Sequence, residues 1–216
     1  MYNVTTIVGG YIGDGGPATN AFLRNPQGVA ISSTGECYIS DTNNNRIRKV
    51  STNGIITTIA GTDDLGYNGD GGLATNALLY SPFGIAINSI GEVYFADANN
   101  NRIRKISSNG IITTIAGTGA YSGFGGDGGL AINAILQPRG IAISSTDELY
   151  IADYGNSRIR KIFTNGTITT IAGNGTVGFN GDGGLAINAQ LNGPQGITIS
   201  SIGEIYIVSV LVKFVK

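Results

Sequence analysis

Histidine is absent from this chain of 216 residues. With it go the commonest general base near neutral pH and the commonest metal ligand. Cysteine is nearly absent: Cys37 stands alone in a strand-like stretch, so no disulfide framework exists and the expected role is a small buried hydrophobe. Charge is scarce, at 12% of residues against the usual ~25%. The surface must therefore be wetted mainly by neutral polar groups. A net charge of −1 argues against a nucleic-acid footprint built from a basic excess. No apolar run approaches the ~18 residues of a membrane-spanning helix, so membrane insertion is not expected. The opening residues Met1–Thr6 lack the basic and apolar regions of a leader and read instead as the end of a repeat. Sequons at Asn3, Asn165 and Asn174 are read as coincidence in an Asn-rich chain; otherwise they hint at secretion.

What the chain does have is a repeat. Pro-x-Gly occurs at Pro26/Gly28, Pro82/Gly84, Pro138/Gly140 and Pro194/Gly196, each 56 residues after the last. A period of this size marks an array of supersecondary units, none of which buries its core alone. Within the second unit, Gly84–Asn88 is a short apolar run suited to a buried inner strand. Glu92–Asp97 follows the turn Ser89–Gly91, and Arg102–Ile106 follows Ala98–Asn101. The hairpin signal Asn109-Gly110 leads into the β-branched Ile111–Ala116. Four short antiparallel strands make a meander, one blade of a β-propeller. The expectation is a single all-β propeller domain or propeller fragment of four-stranded antiparallel blades. Its repeats run approximately over 10–60, 61–116, 117–172, and 173–216 joined by 1–9.

The strings Tyr38-Ile39-Ser40-Asp41 with Asn45–Lys49, Tyr94-Phe95-Ala96-Asp97 with Asn101–Lys105, and Tyr150-Ile151-Ala152-Asp153 with Ser157–Lys161 resemble NHL repeats. The connector motif Gly-Asp-Gly-Gly resembles the extended NHL variant of bacterial, protist and teneurin propellers. The resemblance implies propellers usually of six blades, whose members variously bind proteins, RNA or other ligands, a few being lyases. The amidating lyases of this type use histidine-bound zinc, for which this sequence supplies no histidine. The fourth unit departs from the pattern: Ser209 replaces the aspartate and Val210–Lys216 replaces the Asn-Arg-Ile-Arg-Lys strand. Val4–Val8 matches the fourth strand of other blades and could close a four-bladed ring beside Glu204–Val208. A piece of a larger propeller is the competing expectation.

Three groups of residues are candidates for chemistry or cement. The aspartate ending each second strand and the first arginine of the third are expected to pair across the hairpin, as Asp41/Arg46, Asp97/Arg102 and Asp153/Arg158. Nine of 13 basic residues lie in Arg-x-Arg-Lys strings, but strand alternation divides them between two faces, so an RNA-binding stripe is disfavoured. Each connector carries an aromatic shortly before an aspartate: Tyr11 and Asp14, Tyr67 and Asp70, Phe124 and Asp127, Phe179 and Asp182. The aspartate is expected to cap a short helical segment such as Leu73–Leu79, and the aromatic to lie on the neighbouring blade. Alternatively, the four loops form a ligand face for protein or glycan. A Ca²⁺ site is disfavoured because each connector supplies one carboxylate, apart from Asp63 and Asp64 in one loop. Nearly every charge repeats by blade, whereas a reacting centre needs different residues in different roles. The expected function is a non-catalytic, cofactor-free scaffold binding protein through one face, with a glycan-binding propeller as the alternative.

Overall fold

A computed structural model describes residues 13–209. They form the expected all-β meanders. The first blade comprises β1 (Gly28–Ile31), β2 (Cys37–Asp41), β3 (Arg46–Val50) and β4 (Ile56–Ala60). The second comprises β5 (Pro82–Ile87), β6 (Val93–Asp97), β7 (Arg102–Ile106) and β8 (Ile112–Ala116). The third comprises β9 (Pro138–Ile143), β10 (Leu149–Asp153), β11 (Arg158–Ile162) and β12 (Ile168–Ala172). A fourth sheet pairs β13 (Pro194–Ile199) with β14 (Ile205–Ser209). The strands expected to complete it, Val4–Val8 and the apolar tail from Val210, lie outside the described residues, as does Tyr11.

Alternation along the strands gives each blade two apolar faces, and the core lies between consecutive blades. Tyr38, Ile47 and Ala60 of the first blade pack with Ile85, Val93 and Phe95 of the second. Ala86, Ala96 and Ile103 of the second pack with Ile141, Leu149 and Ile151 of the third. Ala152, Ile159 and Ala172 of the third pack with Leu191 and Ile207. Burying such side chains contributes ~1.5–3 kcal/mol each, and a smaller cluster of Ala18, Ala21, Cys37, Ile39, Val50 and Ile56 lies between the first blade and its own connector.

The inner strands β1, β5, β9 and β13 pack successively on one another. Here the Pro-x-Gly anchor shows its purpose. A Cβ on Gly84 would lie 2.6 Å from the Arg139 carbonyl oxygen. Gly28 faces the carbonyl of Phe83 in the same way, and Gly140 that of Gln195. The next blade's backbone occupies the space a side chain would need. Among the described residues, a Cβ at Gly196 would meet only Val208 of its own blade, at 3.6 Å.

The connectors seal the outer edges. Gly71 N–H donates to the Ile112 carbonyl (2.8 Å) and Ile112 N–H to that of Gly72 (3.0 Å), covering β8. Gly61 N–H, just past β4, donates to the Ala74 carbonyl (3.0 Å). One connector thus ties the outer strands of two blades and hides an edge that would otherwise template aggregation. The expected helix over Leu73–Leu79 is a single 3₁₀ turn, Ala74–Asn76, because the chain is already extended at Ala77. Among the described residues no helix is long and apolar enough to cross a membrane.

Substituting Gly84 or Gly140 by alanine is expected to destabilise the protein by ~1–3 kcal/mol through overpacking, whereas Gly196→Ala changes stability little. Urea titration checks the contrast.

Candidate functional site

In the first three blades the second strand ends in an aspartate, Asp41, Asp97 or Asp153, held at φ of −81° to −85° and ψ of 73° to 74°, which turns its carboxylate inward. The register sets Asp97 opposite Arg102, as the spacing predicts. The ion pair nevertheless forms with the next arginine on that face: Arg104 Nη1 donates to Asp97 Oδ2 at 3.2 Å. The same correction applies to Asp41, paired with Arg48 instead of Arg46, and to Asp153, paired with Arg160 instead of Arg158. Arg102, at the mouth of the hairpin, reaches outward to the carbonyls of Asn100 (2.9 Å) and Thr118 (2.8 Å). Arg158 does likewise with Asn156 and Asn174, while Arg46 meets Asp63 (2.7 Å). Arg104, two residues deeper, has the reach to return diagonally to the buried carboxylate.

The connector aspartate completes this unit. Asp70 accepts from Arg104 Nη2 at 2.9 Å, Asp14 from Arg48 at 2.7 Å and Asp127 from Arg160 at 2.7 Å. Each arginine is fully buried between an equally buried strand aspartate and a half-buried connector aspartate. The expected capping role is therefore corrected: Leu73 precedes the 3₁₀ turn without a side-chain cap, and the Asp70 carboxylate is committed to Arg104. Asp97 also accepts from Tyr80 N–H (2.8 Å) and Asn100 Nδ2 (2.9 Å). Burial pushes its carboxyl up to about 6 despite these donors, and pushes that of Asp153 upward as well. Burial would also raise Asp70, but the Thr114 hydroxyl, Arg104 and Tyr67 hold it below the ordinary range.

The connector aromatics stack on both arginines of the following blade. The Tyr67 ring centre is 3.7 Å from the Arg102 guanidinium and 4.9 Å from that of Arg104. Phe124 lies 3.8 Å from Arg158 and 4.7 Å from Arg160. Tyr67 also donates its hydroxyl to Asp70 (3.0 Å). Phe179 and Asp182 line a cleft of about 530 Å³ with Ile159, Ile171 and Ile207. The structure thus joins Tyr67 with Asp70, and Phe124 with Asp127, through arginines that the spacing argument passed over. Their signal was present: Arg48, Arg104 and Arg160 recur at the same period as their neighbours.

The lysine of each string points to the opposite face. Lys105 pairs with Glu92 at 2.8 Å and Lys161 with Glu148 at 2.8 Å, and Lys49 pairs with Glu36. Among the described residues no three His, Cys, Asp or Glu side chains gather as a cation site. A cluster that does not repeat was also missed: Arg139, at the start of β9, lies 3.8 Å from the Tyr154 ring centre and 5.3 Å from that of Phe83. Its signal was the break in repetition, since the positions equivalent to Arg139 hold Gln27, Phe83 and Gln195.

Stacked four-stranded meanders whose inner strands meet at glycines, with edges sealed by connectors, define a β-propeller architecture. The teneurin NHL domain model matches residues 8–68 and 64–125, and the NHL repeat model matches residues 136–162; the chain belongs to the NHL-repeat family in its teneurin form. Teneurin-4 of Mus musculus is 31% identical over 232 residues, which span 94% of this chain and 8% of the teneurin. A protein of unknown function from Bacteroides thetaiotaomicron superposes with a TM-score of 0.68 at 22% identity, over 88% of this chain and 46% of its own. Virginiamycin B lyase from Staphylococcus aureus superposes with a TM-score of 0.54 at 20% identity, over 92% and 56% respectively. The structural likenesses, at such identities, speak to fold alone.

Arg104→Leu is expected to cost ~3–5 kcal/mol by stranding two carboxylates. Arg102→Ala, which strands no buried charge, costs ~1 kcal/mol; chemical denaturation separates the two. Glu92 behaves differently with pH. Burial would raise its carboxyl, but Lys105, Tyr94 and Asn88 together hold it below the ordinary value. Its stabilisation is therefore complete above the unfolded pKa of ~4.3 and is lost as pH falls through the lower folded value. Glu92→Gln should depress the melting temperature at neutral pH, and the gap to wild type should close below pH ~4.

Proposed function

We propose that this chain is a non-catalytic protein-binding scaffold, and that its partner sits over the end of the propeller carrying the β6–β7 and β10–β11 turns. The observation that carries the reading is the arginine–aromatic cluster of Phe83, Arg139 and Tyr154, which does not repeat between blades. The repeated charges are committed to holding blades together, so selectivity falls to side chains that differ from blade to blade. Tyr and Arg at such positions are the residue types that dominate protein–protein binding energy. Exposed Tyr121, and the half-exposed rings of Tyr67, Tyr80 and Phe124, extend the same surface. Their aspartates, Asp70 and Asp127, serve in this reading to hold the connectors rather than to contact the ligand. Membership of the teneurin form of the family supports a binding role over a catalytic one. Low net charge and the pairing of Lys49, Lys105 and Lys161 with glutamates weigh against nucleic acid.

Affinity capture from extracts of the source organism, quantified with cross-linking mass spectrometry, tests this. Replacing Arg139 and Tyr154 together by alanine should weaken the captured partner by about thirtyfold, the effect of losing ~2 kcal/mol, with the melting temperature held. Equal capture by both proteins overturns the surface assignment. Binding on a glycan array that is lost in the same variant would replace the protein-binding reading with a lectin one.

A further inference from the structure

Four departures from the repeat fall together where the third blade meets the second. One residue, Gln137, separates Leu136 from Pro138, whereas two separate Leu23 from Pro26, Leu79 from Pro82 and Leu191 from Pro194. The residue left out is the one held at positive φ in the other sheets, at Asn25 (49°), Ser81 (52°) and Gly193 (53°). Gly155 stands where the earlier turns have Asn43 and Asn99, and a Cβ there would collide with the Gln137 side chain. Given that space, Gln137 donates its Nε2 to the Tyr121 carbonyl at 2.6 Å. Tyr154 replaces Thr42 and Ala98, and Arg139 replaces Gln27 and Phe83. Changes in connector, turn and inner strand thus fit one another. The junction is internal, with β5 packed on one side of β9 and β13 on the other.

Arg139 is the cation that this rebuilding leaves unsatisfied. The lysine and both arginines of each strand string are held by carboxylates or backbone carbonyls. Arg139, by contrast, has no ion pair and no side-chain hydrogen bond among the described residues, and its guanidinium meets only the rings of Tyr154 and Phe83. Residues 1–12 and 210–216 contain no aspartate or glutamate, so this sequence holds no further acidic side chain to meet it. All three side chains are half-buried. A guanidinium stacked on a ring keeps its N–H edge clear, and partial burial removes some of the water that would otherwise satisfy that edge. Such an edge matches the two oxygens of a carboxylate in a planar, bidentate contact. One fixed positive charge balances a carboxylate but not the near-double charge of a phosphate, and the lysines that could add to it are paired with glutamates.

We propose that Arg139 receives an aspartate or glutamate side chain of the partner protein, whose apolar neighbours rest on Tyr154 and Phe83. The inference rests on the binding surface assigned above and adds the chemistry of what docks there. Because the equivalent positions hold Gln27, Phe83 and Gln195, the ion pair forms at one blade alone. It therefore fixes the rotation of the partner about the propeller axis, which no repeated contact could do.

Selection of random dodecapeptides displayed on phage against the full 216-residue chain, followed by calorimetry of the best binder, tests this. The enriched peptides should share an acidic residue beside an apolar one. Replacing that acid by glutamine should weaken binding by about tenfold or more, and the same replacement should make no difference to the Arg139→Gln protein. Arg139→Lys, which keeps the charge but not the planar fork, should recover only part of the affinity. Arg24→Gln, which removes an exposed arginine of the first blade, should bind as wild type does. Melting temperatures report folding, and Arg139→Met takes the place of Arg139→Gln should the latter fail to fold. A selection that enriches no peptide, or peptides without an acidic residue, overturns the proposal. An acid whose loss costs the Arg139→Gln protein as much as wild type overturns it too, as does tighter, Arg139-dependent binding of the same peptide with phosphoserine in place of the acid. The binding surface itself survives such a failure if partner capture still falls in the Arg139 and Tyr154 double variant. Equal capture alongside an intact coupling of acid to Arg139 overturns the surface reading alone.

Discussion

A fully buried arginine clamped between two carboxylates from distant parts of the chain is the constraint on which this structure depends. In the second blade Arg104 holds Asp97, at the end of the neighbouring strand, and Asp70, in the connector. A buried guanidinium with no counter-ion would cost several kcal/mol, and one carboxylate would leave much of its donor fork idle. Two carboxylates, together with the Asn68 carbonyl at 3.0 Å, make burial tolerable. The aromatic ring over the guanidinium excludes water from the clamp, which strengthens its electrostatics. Hairpin, third strand and connector are thereby fixed by one side chain, and the same fixture recurs in three blades.

This arrangement divides the surface into two kinds of residue. Charges that repeat are absorbed by the architecture: the second arginines by aspartates, the lysines by glutamates. The first arginines hold connector carbonyls in two blades and Asp63 in the first. A chain with so little charge has little left over for a strongly electrostatic partner. Side chains that differ between blades escape this commitment, and Arg139 between Phe83 and Tyr154 is the case in which three of them meet. A repeat protein acquires specificity at such departures from its own pattern, because a surface equal at every blade cannot fix where or how a partner sits.

Glycine at the third position of Pro-x-Gly belongs to the same logic of modular joining. Inner strands approach backbone to backbone near the axis, where a methyl group would collide with a carbonyl. Each blade therefore carries both halves of a standard joint, an apolar leading face and a glycine-bearing trailing edge.

The sequence by itself determined the period, the four-strand meander of each unit and the pairing register of its hairpins. Alternation, turn residues and β-branched runs act within a few residues, so Asp97 could be placed opposite Arg102 without coordinates. It did not determine which arginine the carboxylate would take. That choice was decided by Asp70, 34 residues before Arg104, together with the inward turn of the strand end. Nor could local pattern tell a capping aspartate from a clamping one, since both precede a short turn and differ only in what the next blade presents. Burial of the inner strands was legible as a tendency, yet Val29 and Ile85 share one motif and opposite exposure. Whether a neighbouring blade covers a face is a property of assembly in space, and only the tertiary structure could decide it.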